Sequence, residues 1–354
     1  MKSRYVRRQI VAVSIVGFII IVIIIGLAIL LVNKTDFNDN PPNNDEYNRY
    51  DDNRLYYNSQ WYLPKDNIDT ILFIGIDRFG EIESTDSSQQ ADFIVLAVID
   101  HNSESIQFLQ FNRDTLTEIY QTDIYGQDAG SIFAQLALSH TYGDTESLRC
   151  RNTVKAIENL LYGQNIAHYM SFTMDAVSHL NDAVGGVTIT LTQDLTELAP
   201  SYTAGSEITL IGDAALDYVR ARGGLEDSSN LARMERQREY MEGLLKSCSR
   251  LASQNTELPS DIVTDIAPYF FTDLTAHQLS RLYEKIGQYQ ISSILTLAGE
   301  PVKGETYWIS SRWNIISTRM RYVTWLSNCS THYQMRRQKH DRKVLWKEKQ
   351  TIYS

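Results

Sequence analysis

Residues 70–78 read TILFIGIDR, a run of apolar and β-branched residues that predicts a buried β-strand ending in a turn at residues 75–78. Two further segments of this kind follow closely. They are FIVLAVI at 93–99 and the alternating SIQFLQF at 105–111. The domain is therefore expected to be built on a sheet from its beginning.

Downstream of these strands, helical and strand patterns alternate. Helices are predicted over 134–141, 153–161, 174–183, 213–221, 231–251 and 273–290, and strands over 168–172 and 187–191. This alternation predicts an α/β fold, a layered α-β-α domain with a central mixed sheet. Gly185 and Gly186 predict a tight turn from helix to strand.

An uncharged run occupies residues 10–32 and is long enough to cross a bilayer as one helix. Lys2, Arg4, Arg7 and Arg8 precede it, so the positive-inside rule places residues 1–9 in the cytoplasm and the rest of the chain outside. A cleaved signal peptide is the alternative, although the run is longer than a usual h-region and no A-x-A-like site ends it. We expect a single-pass protein of the cell membrane with an extracytoplasmic C-terminal domain.

Composition divides the remainder of the chain. Residues 33–67 are rich in Asn, Asp, Tyr and Pro and predict a stalk, and residues 68–300 hold the predicted catalytic domain. Residues 301–354 form a basic, Trp-rich tail of unknown structure, either a wall-binding segment or a disordered or frame-altered end. The net charge of −10 disfavours a nucleic acid partner.

Three cysteines, Cys150, Cys248 and Cys329, are present, and none has a CxxC or His-Cys spacing typical of a metal site. A Cys150–Cys248 disulfide is one option in an oxidising compartment. No catalytic role is expected for any of the three.

Five arginines fall within residues 218–238, YVRARGGLEDSSNLARMERQR. The pattern predicts a helix end, a loop, and a second helix with its N-cap, on which Arg233, Arg236 and Gln237 share one face. Guanidinium groups bind phosphate in a bidentate manner, so this stretch is a candidate phosphate or pyrophosphate site. The alternative is a solvated helix face whose arginines pair with neighbouring acids.

Two carboxylates lie where predicted strands end or begin. Asp77 follows the first strand and Asp92 precedes the second, which places both at one edge of the sheet, where open α/β sheets bind ligands. Beside a phosphate site such a pair suits Mg²⁺, and a turn or capping role is the alternative for each. After the third strand, residues 112–115 read NRDT. Either Arg113 joins the anion site and Asp114 accepts a proton, or the segment is an Asx turn with an internal ion pair.

Taken together, these segments resemble the LytR-CpsA-Psr family of cell-wall ligases over about residues 68–246. The matching pieces are ILFIGIDR (71–78), ADFIVLAVID (91–100), FNRDT (111–115), QLALSHTYGD (135–144), NDAVGGVTITL (181–191), LIGDAALDYVRAR (210–222) and LARMERQR (231–238). The resemblance implies transfer of a glycan phosphate, such as teichoic acid or capsule, from a polyprenyl-pyrophosphate carrier to a peptidoglycan hydroxyl, with release of polyprenyl phosphate. It also implies an apolar tunnel between sheet and helices.

The same resemblance implies roles for individual residues. Asp77 and Asp92 look like ligands of an Mg²⁺ cofactor, and Asp114 looks like a base that acts with Arg113 and Arg222 in catalysis. The implied pyrophosphate ligands are Arg113, Arg220, Arg222, Arg233 and Gln237.

The chain departs from the family pattern at several of these positions. QADF at 90–93 stands where the family often has R-S-D-T, and Asn112 stands where a Pro usually precedes R-D-T. Gln135 and Ala137 replace a K-x-N pattern, and Asn230 replaces an acid. These changes leave two alternatives to the transferase: a non-catalytic polyprenyl-pyrophosphate binder or regulator, and a lipid pyrophosphate hydrolase. The predicted topology argues against a DNA-binding regulator.

Overall fold

The computed structural model describes residues 55–57, 60–62, 65–82, 89–123, 125–222, 225, 227, 229–252, 266–286, 288–297, 299–306 and 309–317. The strands of this part are β1 (Leu55–Tyr57), β2 (Gln60–Tyr62), β3 (Ile68–Ile76), β4 (Ala91–Asp100), β5 (Ser105–Phe111), β6 (Leu116–Thr122), β7 (Asp128–Gln135), β8 (His168–Phe172), β9 (Val187–Thr190), β10 (Glu207–Leu210), β11 (Phe270–Thr272), β12 (Gln290–Thr296), β13 (Gly299–Thr306) and β14 (Ile309–Ser317). The α-helices are α1 (Glu146–Leu160), α2 (Asp175–Ala183), α3 (Asp213–Arg220), α4 (Asn230–Ala252) and α5 (Ala276–Ile286), and 3-10 helices occupy Leu136–Thr141 and Ala267–Tyr269.

A six-stranded sheet with the order β11-β8-β3-β4-β5-β12 forms the centre of the domain. The β3–β4, β4–β5 and β8–β11 pairs are antiparallel, whereas β3–β8 and β5–β12 are parallel. The sheet is therefore mixed, as predicted. Helical segments separate the strands of each parallel pair in the sequence, which is how parallel neighbours are usually connected.

Helices cover both faces of this sheet, which confirms the layered α/β prediction. Successive strand residues point to opposite faces, so Ile71 and Val95 pack with α2, α3, α4 and α5 on one side. Leu72 and Leu96 pack with α1 and the first 3-10 helix on the other side. Because β3 and β4 contribute buried residues to two cores, their sequences show continuous apolar runs rather than strict alternation.

Two glycines explain close approaches beside the first of these cores. Gly186 has a φ of 92°, which suits the predicted turn between α2 and β9. Gly243 lets α4 lie against β9, because a Cβ there would stand 2.8 Å from Val187 Cγ1 and 2.9 Å from Thr188 O.

The sequence predictions were wrong for two helical segments. Residues 134 and 135 end β7, and only 136–141 turn, as a 3-10 helix. The helix predicted over 273–290 spans Ala276–Ile286, and Gln290 already begins β12. Conversely, α1 starts earlier than predicted, at Glu146, because the Thr145 hydroxyl caps it by accepting from the backbone N–H of Leu148.

Several strands were not predicted at all. They are both strands of the hairpins β1–β2, β6–β7 and β13–β14, strand β10 of the hairpin β9–β10, and the sheet strands β11 and β12. Hairpin β13–β14 runs through the start of the basic region, and residues 318–354 of that region lie outside the described residues. The domain boundaries drawn from the sequence stay predictions.

The cysteine and membrane predictions have different outcomes. Cys150 and Cys248 are both buried free thiols, and the disulfide is not formed because Cys150 lies in the core on the α1 face while Cys248 lies in the core on the opposite face. Within the described residues, none of the helices combines the length and apolar character that crossing a membrane requires. The predicted anchor at 10–32, the cytoplasmic N-terminus and Cys329 lie outside those residues.

Candidate active site

A cavity of about 440 Å³ lies between the sheet and the α2–α5 layer. Its apolar lining comes from strand residues such as Ile71, Ala97 and Phe108 and from helix residues such as Val177 and Leu244. The lining follows β3 from Ile71 to the residue after its end, a distance of about 20 Å at the rise of an extended strand. The cavity is thus long, apolar and of a size typical of ligand sites.

The polar lining residues gather at one end of this cavity, which we call the mouth. They include seven of the eight site residues predicted from the sequence: Asp77, Asp92, Arg113, Arg220, Arg222, Arg233 and Gln237. Strand register explains the placement of the first three. Ile76 pairs with Ala91 and Phe111 pairs with Ile94, so the residues beside these pairs share one edge of the sheet.

Asp92 is buried between two arginines at the centre of the mouth. Its Oδ1 accepts from Arg113 Nη1, and its Oδ2 accepts from Arg233 Nη1 at 2.9 Å. The Asp92 side chain is only 5% exposed, and those of Arg113 and Arg233 are 11% and 7% exposed. Asp92 is therefore the internal counter-ion of the arginine cluster, which we define as Arg113, Arg220, Arg222 and Arg233.

Gln90 extends this network. Its side-chain Oε1 accepts from Arg113 Nη2 at 2.7 Å, and its backbone carbonyl accepts from the N–H of Asp77 at 3.0 Å. Gln90 was recognised in the sequence only as a departure from the family pattern. In the structure Gln90 is a second hydrogen-bond acceptor for Arg113. In the sequence, the one sign of this role is that Gln90 lies two residues before Asp92.

Two further departures from the family pattern, Asn112 and Asn230, bond to each other. Asn230 Nδ2 donates to Asn112 Oδ1 at 2.8 Å. Asn230 Oδ1 accepts from Arg233 Nη2 at 2.7 Å and from Arg222 Nη2 at 3.3 Å. Asn230 therefore orients two arginines of the cluster with a neutral amide, where an acid would add a negative charge.

Asp114 lies beside the cavity, and among the described residues it is not part of the lining. Its backbone N–H donates to Asn112 Oδ1 at 2.9 Å, and its carboxylate stands 3.7 Å from Arg113 Nε. This is the Asx turn with an internal ion pair that was the alternative reading of residues 112–115. Gln135 Nε2 also donates to Asp114 Oδ1, at 3.2 Å.

The arginine stretch contains both arginines that line the mouth and an arginine that pairs with a neighbouring acid, the two alternatives that its sequence allowed. Arg238 pairs with Glu235 at the surface, as in a solvated helix face, and the buried Arg236 donates to the carbonyl of Ala221. Arg220 is exposed and lies over the ring of Phe79, with its Cζ 4.7 Å from the ring centroid. The sequence predicts an N-cap before this helix, and in the structure Ser229 caps α4, because its hydroxyl accepts from the N–H of Ala232.

Burial changes the electrostatics of the mouth. Desolvation, followed by repulsion from Arg233, lowers the pKa of Arg113 to about 10, and Asp114 opposes this shift. Desolvation also lowers the pKa of Arg233. Within the described part of the chain, Arg233 Nε and Gln237 Oε1 are buried without a hydrogen-bond partner. A second anion at the mouth would supply negative charge and an acceptor for Arg233 Nε, whereas Gln237 Oε1 needs a donor.

Asp77 and Asp92 are the carboxylates that line the mouth. Their oxygens suit a hard divalent cation, and the exposed side chain of Asp77 can reach one without desolvation. Both oxygens of Asp92 are already hydrogen-bonded to arginines. A cation bound by Asp92 would therefore have to displace at least one of those contacts or share an oxygen with it.

The sequence model of the LytR_cpsA_psr family matches residues 35–321. The chain belongs to this family. It is 30% identical over 185 residues to the polyisoprenyl-teichoic acid--peptidoglycan teichoic acid transferase TagU of Halalkalibacterium halodurans, a match that covers 52% of this chain and 54% of the relative. The Enterococcus faecalis protein of the same name is 27% identical over 216 residues, covering 60% of this chain and 64% of the relative. The chain thus spans less than two thirds of these curated relatives.

A solved structure, TagT bound to LI-WTA, has the same fold. Its TM-score with this LytR_cpsA_psr protein is 0.54 at 19% sequence identity, and the match covers 74% of this chain and 90% of that chain. The mixed α/β architecture described above is therefore that of known family members.

Proposed function

We propose that this protein transfers a glycan phosphate from a polyprenyl-pyrophosphate carrier to a hydroxyl of peptidoglycan. One observation carries the proposal: a long apolar cavity of about 440 Å³ opens at a mouth that holds four arginines. This combination suits a ligand with a hydrocarbon tail and a pyrophosphate head. The TagU relatives are named for the same class of reaction.

In the proposed reaction, the acceptor hydroxyl oxygen attacks the phosphorus that carries the glycan. The bond between this phosphorus and the bridging oxygen breaks, so polyprenyl phosphate leaves and the glycan phosphate becomes attached to the wall. Phosphoryl transfer depends mainly on positioning and on neutralising charge. Arg113, Arg222 and Arg233 would hold the pyrophosphate oxygens, and Gln237 would donate beside them.

Asp77 and Asp92 are the proposed Mg²⁺ ligands, and this ion would neutralise charge on the pyrophosphate oxygens when bound. Asp114 is the proposed base, which would take the proton of the acceptor hydroxyl. The Asp114 carboxylate lies 3.7 Å from Arg113 Nε. The peptidoglycan hydroxyl would therefore have to reach it from the side of the Asx turn at residues 112–115. Arg220, exposed at the rim, is placed to meet the outer part of the head group.

We also propose that the domain works outside the cytoplasm, attached to the cell membrane by residues 10–32. The uncharged run and the basic residues before it support this orientation. A carrier lipid would then enter the cavity from the membrane that anchors the protein.

The test is a transfer assay with the full chain in detergent, a short-chain polyprenyl-pyrophosphate sugar, Mg²⁺ and a peptidoglycan oligosaccharide, followed by mass spectrometry. We expect a glycan-phosphate adduct on the acceptor that disappears with EDTA and in Arg222→Ala. The matched control is Arg151→Ala, which removes an exposed arginine of α1 on the other side of the sheet. An adduct that persists in Arg222→Ala would contradict the site assignment.

A second candidate, a non-catalytic binder of the same lipid, is favoured by the Asn112–Asn230 bond and by the pairing of Asp92 with two arginines. This network pairs the charges of Arg113 and Arg233 with Asp92 without a substrate. A binder would retain carrier lipid but release no polyprenyl phosphate with any acceptor. A lipid pyrophosphate hydrolase would release it without acceptor, so assays with and without the oligosaccharide separate the three activities.

A further inference from the structure

A second cluster of reactive side chains lies on the α1 face of the sheet, opposite the cavity. It consists of His140 at the end of the first 3-10 helix, Glu146 at the start of α1, and Cys150 one turn later. The side chain of His140 and the whole of Cys150 are 0% exposed, and the Glu146 side chain is 8% exposed. The proposed transfer reaction uses none of these residues.

Three potential ligand atoms of this cluster converge on one point. His140 Nε2 lies 3.1 Å from Glu146 Oε1, Cys150 Sγ lies 3.8 Å from His140 Nε2, and Cys150 Sγ lies 3.6 Å from Glu146 Oε1. A tetrahedral zinc ion with typical bond lengths of about 2.3 Å to sulfur and about 2.0 Å to nitrogen and oxygen would separate these pairs by about 3.3, 3.5 and 3.5 Å. The three side chains therefore need only small shifts to surround such an ion.

The groups around the cluster resemble the outer shell of a metal site. His140 Nδ1 stands 3.1 Å from the backbone carbonyl of Gln89, which fixes a proton on Nδ1 and leaves Nε2 free to act as a ligand. The Ser171 hydroxyl donates to Glu146 Oε1 at 2.7 Å. A histidine held by a carbonyl and a carboxylate held by a hydroxyl are typical second-shell arrangements.

Hydrogen bonding satisfies these atoms only when His140 carries a proton on both ring nitrogens. With its proton on Nδ1, a neutral His140 presents the Nε2 lone pair to the Glu146 carboxylate, so two acceptors face each other. Glu146 Oε1 is also the acceptor for both Ser171 and Cys150, whereas Oε2 is buried without a hydrogen bond in the described part of the chain. A proton on Nε2 would resolve the conflict by forming an ion pair with Glu146, and a divalent cation between Nε2, Oε1 and Sγ would resolve it by binding all three atoms. A divalent ion with a neutral imidazole, one carboxylate and one thiolate has no net charge, and the guanidinium of Arg149, whose Nη1 lies 3.8 Å from Glu146 Oε2, adds one positive charge beside the site.

We propose that His140, Glu146 and Cys150 supply three of the four ligands of a tetrahedral zinc site. The combination of imidazole, thiolate and carboxylate selects a borderline-soft ion such as Zn²⁺ over Mg²⁺ or Ca²⁺. Zinc binding would displace the Cys150 proton and join the 3-10 helix, α1 and the segment at Gln89. Gln89 precedes Gln90, which orients Arg113, so the ion would also brace one side of the mouth.

The spacing of these residues explains why they did not stand out in the sequence. His140 precedes Glu146 by six residues and Cys150 by ten, a pattern unlike the CxxC and His-Cys signatures. The turn between the 3-10 helix and α1 brings them together.

The experiment measures the zinc content of the full chain, purified in detergent without chelators, by inductively coupled plasma mass spectrometry. We expect about one zinc per chain in the wild type. Cys150→Ser and His140→Gln should each lower the affinity for zinc by more than the roughly 10–100-fold that is typical of changes outside the ligand set. Cys248→Ser is the matched control, because it removes a buried thiol on the opposite face and should keep the zinc. Chelation should lower the Tm of the wild type and of Cys248→Ser, and Zn²⁺ rather than Mg²⁺ should restore it.

Titration of the metal-free wild type with Co²⁺ gives a result that does not depend on any variant folding. A thiolate-to-cobalt charge-transfer band, displaced by Zn²⁺, would support the site. A wild-type chain that takes up neither Zn²⁺ nor Co²⁺ would overturn the proposal, and so would zinc that remains in a folded Cys150→Ser variant. Neither outcome depends on whether the chain transfers glycan phosphate.

Discussion

Replacing Asp92 by asparagine tests whether this carboxylate is the counter-ion of the arginine cluster. Asp92→Asn keeps the shape of the side chain but removes the charge between Arg113 and Arg233, both of which are largely buried. Removing one partner of a buried pair typically costs about 3–5 kcal/mol, because the other charge is left uncompensated. For a domain of this size, about 2–4 °C is lost per kcal/mol, which predicts a fall in Tm of about 6–20 °C.

The assay is thermal unfolding of the full chain in detergent, followed by circular dichroism. Asp77→Asn is the matched control, because Asp77 lies at the same mouth but is exposed, and surface changes usually stay within about 0.5 kcal/mol. Adding Arg233→Gln to Asp92→Asn should recover part of the loss, since one uncompensated charge is removed. If Asp92→Asn melted within about 2 °C of the wild type, Asp92 would not be the counter-ion described here.

Three further predictions concern binding, packing and pH. Arg222→Ala should weaken the binding of inorganic pyrophosphate while leaving the Tm unchanged, since Arg222 is exposed; calorimetric titration against wild type checks this, and equal affinities would contradict it. Gly243→Ala should lower the Tm, because overpacking against β9 costs about 1–3 kcal/mol, whereas the higher helix propensity of alanine contributes up to about 1 kcal/mol. An unchanged or higher Tm would refute the close packing of α4 on β9. Burial alone would raise the pKa of Asp100, but hydrogen bonds from Lys65 and the backbone outweigh it and lower the pKa to about 2. The stability from this group is present above the unfolded pKa of about 3.9 and is lost as the pH falls towards 2, so Asp100→Asn should melt below wild type near pH 7 and approach it near pH 2; a deficit independent of pH would exclude the charge as its cause.

Local sequence patterns were sufficient for the core of the fold. The strands β3, β4, β5 and β8 were predicted because each is a short apolar run bounded by turn residues, and the buried sheet strands need no distant information. The strands β6 and β7 were missed because they form a hairpin outside the central sheet, and β7 carries mostly exposed residues. Residues 136–141 were predicted as a helix because a 3-10 turn and an α-helix present similar local patterns.

The residues of the mouth were predictable for a similar reason. Asp77 and Arg113 follow β3 and β5, and Asp92 is the second residue of β4, so the pairing of these neighbouring strands places all three at one edge. Their contacts were not predictable, since Arg233 is 141 residues from the carboxylate it pairs with. Sequence spacing likewise indicated which face of α4 carries Arg233 and Gln237, but not that Asn230 would join Arg222 to Arg233.

The position of Asp92 has a consequence for ligand selection. A ligand anion can engage Arg113 and Arg233 only by replacing or sharing a carboxylate that is already bound to both. A phosphodiester, such as the head group of a common phospholipid, carries one negative charge. It would replace the single charge of Asp92 with another single charge, so the arginines would gain little binding energy. A pyrophosphate brings more charge than it displaces. At a membrane surface, where phospholipids are in large excess, we therefore expect the protein's own carboxylate to act as a competitor that rejects weakly charged lipids.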